Sequence, residues 1–274
     1  VTLTHGTGTD TDASVDRVNN QAGYAAGNLA VMSVRANRAK AAYDWRDAAA
    51  FVRQIEVGQL GQIDGLNSRE WARLVALMSY CTPLRHSEAA NLPLLVLPPT
   101  RLRMLNPVQA VQAGLTASFA RPDRGPKVDA LVRMFPFAIH HEVRSFVTTL
   151  LARRIAVGPV ATQAQLKAAM ESCWSEPLIV RRWLRVALRM TPESCEIVAA
   201  ALPAAASGSA RMRYLSFKQA TEGWALDTRG LVSAEVRSLP LAERGVSPDL
   251  PVFRHLNQHP VQQLPSLADS LSAV

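Results

Sequence analysis

Hydrophobic and polar positions change period several times along this chain. Residues 14–18 (SVDRV) alternate apolar and polar, the two-residue repeat of a half-buried strand, and residues 29–34 (LAVMSV) make a second strand. Between them residues 19–28 hold Asn, Gly and Tyr as a loop does, and the Thr-, Gly- and Asp-rich residues 1–15 read as a turn feeding the first strand. From Arg35 onward Ala36, Ala39, Tyr43, Ala50 and Phe51 fall near a 3.6-residue period, which predicts one helix. Strand, loop, strand and helix make a ββα unit over residues 1–57.

A Gly-containing stretch after residue 58 (GQLGQIDGLN) separates this unit from a mostly helical remainder, residues 58–238. Ser68 is placed to cap a helix running to Tyr80, Asn106 and Pro107 open another, and Thr191, Pro192 and Glu193 supply a cap, a first-turn proline and a dipole-matched acid for a third. Periodicity predicts further helices over residues 141–155, 162–174 and 178–190. Residues 239–274 form a Pro-rich tail. The fold class expected is α+β: a small amino-terminal ββα unit followed by an α-helical domain.

Composition narrows the function. Among 274 residues, 48% are hydrophobic, and no apolar run is long enough to span a bilayer, which excludes a membrane span and a disordered chain. Lys and Arg number 30 against 22 Asp and Glu, and most of the basic residues are Arg, whose planar fork of donors fits phosphate. The 3 cysteines, Cys81, Cys173 and Cys195, are far apart and lack metal-ligand spacing, so they predict free thiols in a reducing, cytoplasmic setting. The chain opens on Val1 rather than Met and shows no signal peptide, as a fragment with its upstream part missing does.

The chemistry is concentrated between Ser14 and Lys40. Asp16-Arg17 is followed by Gly23-Tyr24, Asn28-Leu29, a strand, Arg35-Ala36-Asn37 and Lys40. This series resembles the ββα-metal (HNH, or His-Me finger) endonucleases, in the form met in phage and prophage proteins. The resemblance covers residues 14–57 and implies hydrolysis of DNA phosphodiester bonds with one divalent cation, Mg2+ or Mn2+. It makes Asp16 and Asn37 the metal ligands, a strand carboxylate facing a helix amide across one cleft. Asn28 takes the place of the family's central asparagine, which ties the loop to the backbone, and an Asx-turn reading gives it the same structural job.

Arg17 stands where such enzymes carry a histidine as general base. A guanidinium cannot take that proton, so Arg17 is expected to clamp the scissile phosphate, and His5 is the only nearby histidine that could serve as base. Arg35, Arg38 and Lys40, on the same helix as Asn37, are expected to contact the DNA backbone. The alternative is a DNA-binding protein whose HNH-like module is inert. Tyr24 and Tyr43 are read as packing residues.

Residues 71–92 are similar to the first catalytic box of tyrosine recombinases, with Arg85 and Glu88, and His141 with Arg144 resembles the second. That chemistry needs a tyrosine nucleophile. Trp183 stands nine residues after Trp174 where it belongs, and Tyr214, the only tyrosine downstream, is poorly spaced. Arg85 and Glu88 are better read as an i,i+3 surface pair. The adjacent His140 and His141 point to different sides of a helix and do not make a metal site. Arg181, Arg182, Arg185 and Arg189 make a basic face that is either solvated or a second contact to nucleic-acid backbone.

Overall fold

Period-two alternation is realised as an antiparallel hairpin of β1 (Ala13–Arg17) and β2 (Leu29–Ser33), with Val15 opposite Val31 and Asp16 opposite Ala30. In this computed structural model the described residues are 3–58, 60–122, 126–202, 215 and 217–229. The Pro-rich tail and Tyr214 lie outside them. One face of the hairpin is turned inward through Asp16, Ala30 and Met32, while Val15 and Val31 stand on the outer face.

The polypeptide turns from β2 straight into α1 (Val34–Lys40). The Ser33 hydroxyl caps it by accepting from the Ala36 N–H at 3.2 Å, and the short helix packs back on both strands. The single helix expected from Arg35 to Phe51 is instead two. Ala41 takes a positive φ of 42° and ends α1, and Asp44 with Asp47 forms a reciprocal capping box that starts α2 (Trp45–Val57). Between them the Asn20 side-chain amide donates to the Ala41 and Tyr43 carbonyls at 3.2 and 3.1 Å, so the break is held from the 18–28 loop. Helical periodicity persists through such a break because both helices bury apolar faces.

The remaining helices are α3 (Ser68–Tyr80), α4 (His86–Asn91), α5 (Pro107–Phe119), α6 (Val128–Val132), α7 (His140–Ala156), α8 (Gln163–Ser172), α9 (Pro177–Ala187), α10 (Pro192–Ala201) and α11 (Phe217–Ala220). The cap of α3 is Asn67, one residue before Ser68, because its side chain and that of Glu70 exchange hydrogen bonds with each other's backbone N–H. Thr162 and Thr191 cap α8 and α10 in the same way. Helix α5 is buried from Val108 to Phe119, so it is the central element around which α4, α7, α8 and α10 pack. Beside it Phe146, Trp174 and Trp183 meet with ring centroids 5.5–5.7 Å apart. Both indoles are satisfied: Trp174 Nε1 donates to Thr116 Oγ1 at 3.0 Å, and Trp183 Nε1 to the Ala90 carbonyl at 3.1 Å.

The boundary expected near residue 58 does not separate two cores. Tyr43 and Phe51 stack edge-on around Trp71, and one apolar cluster runs from Val18 in the hairpin loop to Trp224. Among the described residues, a two-stranded antiparallel sheet and a majority of helix make an α+β chain. No helix among them is long and apolar enough to cross a membrane.

Two expectations follow. Ala41 bears a positive φ that glycine adopts freely, so Ala41→Gly raises unfolding free energy by about 1 kcal/mol, read from urea denaturation. All three cysteines are buried free thiols, and burial pushes Cys173 and Cys195 up to about 12 and Cys81 above its ordinary range. A thiol reagent is therefore expected to label none of them in the native protein and all of them in denaturant.

Candidate functional site

Strand alternation puts Ser14 and Asp16 on the face of β1 that meets α1, and a three-residue spacing puts Asn37 and Lys40 on the facing side of the helix. Two polar rungs cross this seam. The Asn37 amide donates to Ser14 Oγ at 2.7 Å, and the Lys40 ammonium donates to Asp16 Oδ2 at 2.8 Å. The ammonium also donates to Asn20 Oδ1 at 2.8 Å. Lys40 has no exposed side chain and Asp16 is 10% exposed, so the pair is out of bulk water. Burial lowers the Lys40 pKa, and the hydrogen bond and charge of Asp16 oppose that shift.

The expected metal ligands thus share one seam, but each is committed to another residue of the chain. Asp16 is the carboxylate of the pair and it already carries a cation. A divalent ion bound by Asp16 and Asn37 would meet an ammonium 2.8 Å from the ligand oxygen and a seam with no net negative charge. Among the described residues no group of three or more His, Cys, Asp or Glu side chains could hold a metal ion. As built, the seam does not fit Mg2+ or Mn2+.

Lys40 was expected on the phosphate-facing surface and lies instead in the interior, because α1 is short and its last turn packs against β1 and the 18–28 loop. Arg35 is turned to the start of α3 and the turn before it, donating to the Gly65 carbonyl at 3.0 Å and pairing with Glu70. Arg38 is the one of the three that presents its charge outward: its side chain is 72% exposed and, among the described residues, pairs with Asp10 at 3.3 Å.

Arg17, one residue beyond Asp16, falls on the opposite face of β1 and is not in the seam. Its guanidinium lies over the half-exposed Tyr24 ring, 5.0 Å from the centroid, and donates to the Ala22 carbonyl at 3.3 Å. Tyr24 is therefore a surface partner of Arg17 rather than a core residue. His5 lies exposed in the Thr-rich turn, with no hydrogen-bond or ion-pair partner among the described residues. That turn is organised by Asp12, which accepts from the hydroxyls of Thr4 and Thr7 and from the N–H groups of Thr7 and Gly8. The Thr7 hydroxyl, followed by that of Thr4, holds the Asp12 carboxyl well below the usual range.

Asn28 is fully buried and closes the hairpin loop. Its amide donates to the carbonyls of Asn19 and Gly23 at 3.0 and 2.9 Å, and its Oδ1 accepts the Asn19 N–H at 2.8 Å. Partners far along the chain, which local spacing does not reveal, complete the loop. The Asn19 amide donates to the Cys81 carbonyl at 2.8 Å, the Gly23 N–H to the Trp224 carbonyl at 2.8 Å, and Trp224 Nε1 to the Ala26 carbonyl at 3.1 Å. Gly27, at a φ of 87°, lies under the stem of Arg103, where a Cβ would come 2.3 Å from Cγ.

The recombinase-like residues are accounted for separately. Glu88 pairs with Arg46 at 3.2 Å rather than with Arg85, Arg144 pairs with Asp129 at 2.6 Å, and Trp174 and Trp183 are core. No protein-family model, curated protein or solved structure matches this chain.

Removing one partner of a buried ion pair strands the other charge. Lys40→Met is expected to destabilise the protein by about 3–5 kcal/mol, and the double variant Lys40→Met/Asp16→Asn to regain most of that loss, both read from urea denaturation.

Proposed function

We propose that the chain binds DNA through an HNH-like hairpin and helix without cleaving it. The observation that carries this reading is the Lys40 ammonium on Asp16: the residue the family resemblance makes a metal ligand is neutralised by a side chain of the same unit. Arg17 cannot accept a proton, and His5 is exposed in the Thr-rich turn with no hydrogen-bond or ion-pair partner among the described residues, which also supports this reading. A metal-dependent endonuclease would need a divalent cation to displace a buried ammonium held by two oxygens.

Support for the polyanion comes from the excess of 30 basic over 22 acidic residues and from the outward Arg38. Contacts of this kind fix position on the phosphate backbone and leave base sequence unread. The purified chain is expected to retard labelled duplex DNA with an affinity that falls steeply with salt, and Arg38→Glu to weaken binding several-fold. With Mg2+ or Mn2+ present, supercoiled plasmid should stay intact. Nicking that requires divalent metal and disappears in Asp16→Ala would restore the endonuclease reading, and absence of binding at low salt would remove DNA as the partner.

A further inference from the structure

Helix α9 is apolar on two sides. Ile179, Trp183, Val186 and Ala187 are buried against the core, which is all that a surface helix normally needs. Yet Val180, Leu184 and Leu188, spaced four apart, line a second stripe: Val180 and Leu184 are half-buried, Leu184 against the core, and Leu188, just past the end of the helix, is 52% exposed. This stripe lines an open groove of about 680 Å³, walled at one end by Glu142 of α7.

Arginines run beside the stripe at the same spacing. Arg182 donates to the Ser145 carbonyl and to Thr149, and Arg189 pairs with Glu142. Arg181 and Arg185 also line the groove, are exposed, and have no hydrogen-bond or ion-pair partner among the described residues. A solvated basic face needs no leucine stripe, and a stripe awaiting only more core needs no unpaired arginines along its edge. The two together define a ligand with an apolar ridge and flanking anions at helical spacing.

We infer that this groove is a docking site for an acidic amphipathic helix of a partner protein. Such a helix lays residues at i, i+4 and i+7 against Val180, Leu184 and Leu188 and brings carboxylates to Arg181 and Arg185. The alternatives fit less well. A nucleic-acid backbone has no apolar ridge to fill the groove. A lipid surface presents no discrete ridge to enter the groove. A second copy presenting the same face would set Arg181 and Arg185 against their own equivalents. The inference does not depend on DNA binding, since α9 is remote in sequence from the hairpin and uses different residues.

The test uses the full chain and a fluorescein-labelled peptide of about 15 residues, long enough to populate a helix, with Leu at i, i+4 and i+7 and Glu on both flanks. Anisotropy is expected to show saturable binding, at least about tenfold weaker for the same peptide with Lys in place of Glu and for Arg181→Glu/Arg185→Glu. Binding should weaken at least about tenfold in Leu188→Ser, whose circular dichroism should match the parent because Leu188 is 52% exposed. Duplex DNA and phosphatidylserine vesicles should not displace the peptide. Absence of binding, equal binding of the Lys peptide, or displacement by DNA or vesicles would overturn the assignment. So would a dimer in sedimentation velocity that dissociates in Leu188→Ser.

Discussion

Burying the Lys40 ammonium is costly unless acceptors meet it, and Asp16 and Asn20 are where they must be. That requirement places β1, the 18–28 loop and α1 relative to one another. Asp16 has to face the helix, which sends Arg17 and Val15 to the other side of the strand, Val15 exposed and Arg17 half-buried. Asn20 has to keep its oxygen toward Lys40, which leaves its amide for the Ala41 and Tyr43 carbonyls. The same side chain therefore satisfies the buried cation and holds the break between α1 and α2.

From that break the geometry spreads outward. Helix α2 leaves at an angle that brings Phe51 onto Trp71 of α3, so the segment that follows the hairpin and α1 is packed on the helical part through a shared aromatic contact. The hairpin loop is fastened a second time through Asn19 to Cys81 and through Gly23 and Ala26 to Trp224. A hairpin of two strands is marginal alone, and these attachments from distant segments supply the stability it lacks.

The pair also decides what chemistry the unit can support. A carboxylate that must balance a buried ammonium is a poor ligand for a second cation, whereas exposed guanidinium groups remain available to anions. Two of the exposed cationic places among the described residues are Arg38 beside the hairpin and Arg181 with Arg185 along α9. They differ in their neighbours: the first sits among polar groups, the second beside leucines. Charge alone does not distinguish a surface suited to a polyanion from one suited to an amphipathic protein segment; the adjoining apolar area does.

The sequence by itself determined the order of the strands and the positions of most helices, because these rest on short-range physics: side-chain period, N-cap hydroxyls and amides, and first-turn prolines. The starts of α5 and α10 at Pro107 and Pro192 were legible for that reason, as was the role of Asn28, whose amide bonds within its own loop. Only the tertiary structure decided the fate of the charged residues. Lys40 and Arg38 are two positions apart on one short helix, and one is wholly buried while the other is open to solvent. Local pattern cannot separate them, because a charge can be buried only where acceptors from other segments converge on it. Here the acceptors, Asp16 and Asn20, lie some twenty residues away and reach Lys40 only when the hairpin has closed on the helix.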